Sequence, residues 1–140
     1  MDGSTVSLNQ LIENDNITIL NFWATWCGPC LAQIPYLKEL EEKYRSKEVA
    51  FVSLSIDQLK DSTKWKKMIV DKELEGIQII ADNAWRSAFV KDYLIEGIPR
   101  FILIDQSGNI ISPNAPRPAS YNEGNYELND EIQILLDENL

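Results

Sequence analysis

The two cysteines of the chain, Cys27 and Cys30, stand at a junction between two different hydrophobic patterns. Residues 17–23 are apolar almost throughout, which is typical of a strand covered on both faces of a sheet. Residues 28–45 carry apolar side chains at steps of three and four, which predicts a helix. The cysteine pair therefore lies where a buried strand gives way to a helix, with Cys27 at or next to the helix N-terminus.

This placement predicts a reactive sulfur on Cys27. Unpaired backbone N–H groups and the positive end of the helix dipole favour a thiolate at a helix N-terminus. The thiolate is the nucleophilic form, and such placement lowers a cysteine pKa from about 8.5 to roughly 3.5–7.5. The pattern predicts that Cys27 attacks a partner disulfide and that Cys30 resolves the mixed disulfide. The alternative is a permanent structural disulfide or two buried thiols, and it is disfavoured because so short a loop constrains little chain entropy.

Longer motifs resemble a known family. Trp26-Cys27-Gly28-Pro29-Cys30, with Gly97-Ile98-Pro99 ahead of the apolar run 101–104, resembles the thioredoxin superfamily. The segments Asp2-Gly3-Ser4-Thr5-Val6-Ser7-Leu8 and Asn21-Phe22-Trp23-Ala24-Thr25 are similar to its extracytoplasmic TlpA/ResA-like branch. The resemblance implies an α/β thioredoxin fold, a central mixed sheet flanked by helices, with an N-terminal β extension and a central insert. It also implies a single domain over residues 1–140, excised from a longer exported parent.

The resemblance also implies roles for individual residues. Cys27 and Cys30 are the catalytic pair, and the Ile98–Pro99 bond is cis. A cis bond there would expose the backbone of Ile98 to an extended substrate segment, which could pair with it as an added strand. Gly28 permits close approach of a partner, and Pro29 suits the first helical turn. The residues expected to contact substrate are Trp26, Gly28, Pro29, Ile98 and Pro99.

Two positions depart from the family pattern. Asn21 stands where cytosolic thioredoxins usually carry a buried aspartate that handles the Cys30 proton. Gln33 stands where ResA-like proteins often carry a glutamate. The proton of Cys30 would then pass to water or to another acid of the chain, such as Asp105 or Glu96.

Composition excludes several classes of function. The formal net charge of −9 argues against nucleic acid or an anionic membrane as a partner, because phosphate binding needs clustered Lys and Arg. The chain has no histidine, which removes Cys–His catalysis and most zinc sites, so neither a metal nor a cofactor is expected. It has no apolar run of spanning length and no signal-peptide pattern, which predicts a soluble chain as given. Its parent would be soluble or membrane-anchored, in a periplasmic or extracytoplasmic location, with a cytoplasmic one as the alternative.

The remaining elements follow from local signals. Proline in mid-helix predicts a kink at Pro35. The other predicted strands are 5–8, 49–56 and 77–80, and 101–104 forms a hairpin with 109–112. Three further helices are predicted: one capped by Asp61 or Ser62 and ended by Gly76, one capped by Asp82 or Asn83, and a final one capped by Asn129. Residues 112–125 are predicted to form an irregular loop.

We therefore expect a thiol–disulfide oxidoreductase that reduces protein disulfides. Its partners would be a disulfide-containing protein substrate and an upstream thiol electron donor. The alternatives are a disulfide oxidase or isomerase using the same cysteines, and a redox-inert binding domain of a larger lipoprotein. The loop 112–125 either helps to select the partner or is a solvent loop without a role.

Overall fold

The computed structural model describes residues 17–80 and 97–140. The strand predicted at 5–8 and the helix predicted to begin at Asp82 or Asn83 lie outside the described residues, as does Glu96.

A five-stranded mixed sheet forms the centre of the described structure. Its strands lie in the order β3-β2-β1-β4-β5. β1 is parallel to β2, β2 is parallel to β3, and β4 runs antiparallel to both β1 and β5. The bounds are β1 Ile17–Trp23, β2 Val49–Ser55, β3 Ile77–Ile80, β4 Arg100–Asp105 and β5 Ile110–Ser112. The predicted mixed α/β sheet is confirmed, as are its strands.

Three helices cover this sheet within the described residues: α1 Gly28–Lys43, α2 Ser62–Asp71 and α3 Asp130–Asn139. All of β1 is buried, and its alternate side chains belong to different cores. Ile19 packs with Leu40 of α1 and Leu136 of α3. Phe22 packs in the other cluster, with Trp65 of α2 and with both cysteines. The central strand therefore carries the cysteine loop from a position that is held on both faces.

Two helix ends differ from expectation. α1 ends at Lys43, two residues early, and runs through Pro35, whose predicted kink stays a prediction. α2 ends at Asp71 rather than at Gly76. Gly76 instead has φ +74, and a Cβ there would lie 2.7 Å from the carbonyl oxygen of Phe51. This glycine is required by the close entry into β3, not by the helix end.

The irregular loop predicted at 112–125 is wrong in its second half. Strands β6 Ala119–Asn122 and β7 Asn125–Leu128 form a two-stranded antiparallel sheet. Its turn places Glu123 at φ 48 and Gly124 at φ 86, the left-handed pair that a tight hairpin needs. Tyr121 and Tyr126 face each other across the strands with ring centroids 5.0 Å apart. The final helix then begins as predicted, with the Asn129 side chain accepting a hydrogen bond from the Glu131 N–H.

Candidate active site

Cys27 is the N-cap residue of α1, which confirms its predicted place at the helix N-terminus. Its Sγ accepts a hydrogen bond from the backbone N–H of Cys30 at 3.1 Å. The two cysteines form a disulfide with their Cα atoms 5.2 Å apart. Pro29 lies in the first turn, where a missing N–H breaks no intrahelical bond. The sulfur of Cys27 thus receives the kind of backbone donor that stabilises a thiolate once the disulfide opens.

The disulfide is covered, whereas its rim is open. Cys27 is 5% exposed and Cys30 is 4% exposed, so neither residue is open to solvent in this oxidised form. Trp26 is 57% exposed beside them. A Cβ placed on the exposed Gly28 would meet no atom within 4 Å. Among the described residues, no side chain therefore crowds the surface at Gly28.

The Ile98–Pro99 bond is cis, as predicted. Pro99 is buried and Ile98 is partly buried. Ile98 packs against the hydrophobic cluster that contains both cysteines. Arg100, the first residue of β4, pairs with Phe22 near the end of β1, so the fold brings the Ile98–Pro99 segment to the end of the sheet from which the cysteine loop leaves, although about 70 positions separate the two segments along the chain.

A buried carboxylate that sequence reasoning missed lies beneath the cysteine loop. Asp57 is 1% exposed and follows β2. Its Oδ2 accepts from the Thr25 N–H at 3.0 Å, and its Oδ1 accepts from the Thr25 hydroxyl at 2.6 Å. The Ser55 hydroxyl also donates to Asp57. The signal that could have found it is an aspartate just past a buried strand, because parallel β1 and β2 end at the same edge of the sheet.

The structure gives both departures from the family pattern a bonded partner. The Asn21 amide donates to the Ser53 hydroxyl at 3.2 Å. Gln33 makes two bonds to Ala119: its Nε2 donates to the carbonyl at 3.0 Å and its Oε1 accepts from the N–H at 2.8 Å. Gln33 thereby ties α1 to β6, one helical turn after Cys30.

Asp105 is not a proton acceptor for Cys30. It pairs with Ile17, at the far end of the strand that leads to the cysteines. Its carboxylate instead holds the β4–β5 turn, accepting from the N–H groups of Ser107 at 2.9 Å and Asn109 at 2.8 Å. The prediction that named Asp105 is wrong because the turn uses this side chain locally.

A narrow crevice extends from Cys30 along α1 to Glu41. Burial, and after it the negative charge of Glu75, raises the pKa of Glu41 to about 7. Lys38 and Arg45 oppose the shift in part.

Within residues 17–80 and 97–140, no cluster of three or more acidic or cysteine side chains is placed to hold a metal ion. No helix in the same ranges is long and apolar enough to cross a bilayer.

Comparison with known proteins agrees with this geometry. The Redoxin family model matches residues 1–127. The thiol-disulfide oxidoreductase ResA of Oceanobacillus iheyensis is 47% identical over 112 residues, which are 79% of this chain and 54% of that protein. The chain thus spans about half the length of this curated relative.

Two solved structures from Bacteroides vulgatus, both described as thiol-disulfide oxidoreductases, share the fold. One superposes with a TM-score of 0.69 at 48% identity, covering 84% of this chain and 73% of the other. The second has a TM-score of 0.73 at 30% identity, covering 92% and 81%. The predicted thioredoxin-type fold is confirmed by these neighbours and by the mixed sheet.

Proposed function

Because the chain belongs to the redoxin family, we propose that it is a thiol–disulfide oxidoreductase that reduces protein disulfides through Cys27 and Cys30. One observation carries the proposal: the Cys27 sulfur caps α1 and accepts a bond from the Cys30 N–H. A sulfur in that position is stabilised as a thiolate, which is the form that attacks a disulfide.

The reaction balances with the two cysteines alone. The Cys27 thiolate attacks one substrate sulfur, forms a mixed disulfide and displaces the other substrate sulfur as a thiolate. Cys30 then loses its proton and attacks Cys27, which releases the second substrate sulfur. Two electrons pass from the dithiol to the substrate, and an upstream thiol donor returns the protein to its reduced form.

The rim around the disulfide suits a peptide rather than a small molecule. Trp26 offers an exposed apolar face, and the open space over Gly28 admits a backbone. Ile98, which packs against the cluster that includes both cysteines, would present its backbone to an extended segment of the substrate. We infer that Trp26, Gly28, Pro29, Ile98 and Pro99 contact the substrate, and that the parent protein acts outside the cytoplasm.

Insulin reduction tests the proposal directly. The reduced protein should precipitate insulin when supplied with a thiol donor, and Cys27→Ser should abolish the effect. Cys30→Ser should instead trap a covalent mixed disulfide through Cys27. Insulin that stays soluble with the unaltered protein would favour a redox-inert binding domain. The equilibrium potential of the Cys27–Cys30 pair shows whether the protein reduces or oxidises its substrates, since couples near about −270 mV reduce and those near about −120 mV oxidise.

A further inference from the structure

Cys30 needs an exit for its proton, and within residues 17–80 and 97–140 no free carboxylate is described directly beside it. The residue is 4% exposed, so its sulfur has little direct access to solvent. Asn21 and Gln33, which line the crevice beside it, are fixed amides where the family pattern has carboxylates, so neither offers a carboxylate to the proton or can carry it away. The Asp57 carboxylate is bonded to Thr25 and Ser55 and does not line this crevice.

A row of polar side chains crosses three neighbouring strands at this point. Asn21 of β1 is in register with Ser53 of β2, and Ser53 is in register with Gln78 of β3. All three are at most 8% exposed, and all three line the crevice that begins at Cys30. Buried polar groups in a sheet are costly unless they are hydrogen-bonded. Asn21 and Ser53 bond to each other, and Nε2 of Gln78 donates to the carbonyl oxygen of Glu75 at 2.6 Å, which leaves Oε1 of Gln78 in need of a donor.

Two buried atoms that belong to crevice-lining residues lack a hydrogen-bond partner among the described residues. The indole Nε1 of Trp23 is a buried donor, and Oε1 of Gln78 is a buried acceptor. Trp23 is 3% exposed and Gln78 is 6% exposed, and both side chains line the crevice with Cys30. A water molecule satisfies a donor and an acceptor at once, and buried waters make about three such bonds.

The size of the crevice fits this occupant. Its cavity volume is about 20 Å³, and one water molecule needs about 10–15 Å³ on that measure. We propose, as a deepening of the proposed function, that Trp23 and Gln78 hold a water molecule beside Cys30 that takes the Cys30 proton. Gln78 is then a positioning residue, because it acts on the sulfur through the water.

Resolution of the mixed disulfide by Cys30 then transfers one proton and one electron pair. In the mixed disulfide, the Cys30 thiol gives its proton to the water, and its electron pair forms the bond to the Cys27 sulfur. The bond between Cys27 and the substrate breaks, and the substrate sulfur leaves as a thiolate that takes a proton from solvent. The extra proton on the water leaves along the crevice toward its outer end, which is lined by Lys38, Glu41 and Glu75.

A two-phase reaction with an aromatic disulfide such as 5,5′-dithiobis(2-nitrobenzoate) separates the two cysteines. Attack by Cys27 releases a first coloured thiolate, and resolution by Cys30 releases a second. Gln78→Met keeps the length of the side chain but removes the Oε1 acceptor, together with the Nε2 donor to the Glu75 carbonyl that Gln78→Glu also loses. The second phase at pH 7 should therefore slow at least threefold in Gln78→Met while the first is unchanged. Because a thiolate already formed needs no acceptor, the loss should vanish above about pH 10.

A conservative substitution at Gln78 and a control substitution at an exposed glutamine complete the test. Gln78→Glu keeps an acceptor in the crevice and should retain a second phase close to that of the unaltered protein. Gln58→Met, at an exposed glutamine before the 3-10 turn Leu59–Asp61, should change neither phase. An unchanged second phase in Gln78→Met, or one slowed equally at all pH values, would overturn the water site. Absence of both phases in the unaltered protein would instead refute the proposed function.

A second measurement needs no variant. In ¹⁵N-labelled protein, the indole proton of Trp23 should show a cross-relaxation peak to a long-lived water, and that peak should persist in the reduced form. The indole of Trp65, also buried and without a described partner, lies outside the crevice and provides the comparison. A Trp23 indole without a water contact contradicts the proposal even if Gln78→Met fails to fold.

Discussion

Asp57 holds Thr25 by two kinds of hydrogen bond, one from the backbone N–H at 3.0 Å and one from the hydroxyl at 2.6 Å. Thr25 lies two residues before Cys27, in the turn that connects β1 to α1. The two partners are 32 positions apart in sequence. The carboxylate therefore anchors the cysteine loop to the end of β2, and its contribution to the chemistry is one of position.

Replacing this carboxylate by an amide should loosen the loop. Asp57→Asn leaves one oxygen acceptor for three donors, and its NH₂ group would face Thr25 or Ser55. We expect the free energy of unfolding to fall by about 1–3 kcal/mol, since buried donors lose their acceptor, and attack by Cys27 to slow several-fold. Urea unfolding and the first phase of the aromatic disulfide reaction measure the two effects. Asp61→Asn is the matched control, because the Asp61 side chain makes no capping bond.

The comparison of Asp57→Asn with Asp61→Asn can also contradict a role for Asp57 in holding the loop. If Asp57→Asn and Asp61→Asn are equally stable and equally fast, the bonds to Thr25 do not hold the loop.

Glu41 should make stability fall as the pH rises. Its pKa is about 7 in the folded protein and close to 4.5 when unfolded, so the folded state binds the extra proton between these values. Stability is therefore full below about pH 4.5 and is lost as the pH rises through 7. Glu41→Gln removes this slope and should gain about 1–2 kcal/mol relative to the unaltered protein between pH 5 and pH 8, after allowance for solvent screening.

The Glu41 effect is read from urea unfolding at pH 5 and pH 8. Glu39→Gln changes the same charge on an exposed position of α1 and should leave the slope in place. A Glu41→Gln protein whose stability depends on pH as steeply as that of the unaltered chain would show that burial does not shift this carboxyl.

We expect Gln33 to have a structural role and not to act as an acid or a base. Gln33→Glu cannot donate to the carbonyl of Ala119, and two oxygens would then face each other in a site that is 3% exposed. We expect a loss of about 1–3 kcal/mol at pH 8 and faster hydrogen exchange at the Ala119 amide. Gln58→Glu, on the surface, serves as the control. If Gln33→Glu instead speeds resolution by Cys30 without destabilising the protein, the position can take part in proton transfer.

Trp26 should matter for large substrates and not for small ones. Its side chain is 57% exposed, so Trp26→Ala should change stability by less than about 0.5 kcal/mol. Reduction of insulin should slow several-fold, because the apolar face that a peptide would contact is removed. The reaction with the small aromatic disulfide should keep its rate. Val70→Ala, at an apolar residue of α2 that is 73% exposed, is the control. Equal losses toward both substrates would place Trp26 in the chemistry instead.

The cysteine loop and its flanking elements could be predicted because their signals are local. The continuous apolar run of β1 and the helical spacing of α1 fix the junction at Cys27, and the predicted bounds of β1 are the observed ones. The cis bond before Pro99 was predicted from the family resemblance and not from residue chemistry. That bond depends on a neighbouring element that local patterns do not contain.

The parts that were missed depend on partners far apart in the chain. Asp57 reads as an ordinary loop aspartate until β1 and β2 lie side by side. The β6–β7 hairpin has few apolar residues and is held to α1 by Gln33, 86 positions away. The polar row along the crevice beside Cys30 is formed because Asn21, Ser53 and Gln78 fall into one register across three strands. Hydrophobic periodicity carries no information about such pairings.

The most direct test of the whole account is the pH profile of Cys27 alkylation by iodoacetamide in the reduced protein. We predict that the rate rises to its plateau with a midpoint below about pH 7.5, because a sulfur at the end of α1 is stabilised as a thiolate. A midpoint near the ordinary value of about 8.5, with a rate no greater than that of a free thiol, would contradict the account.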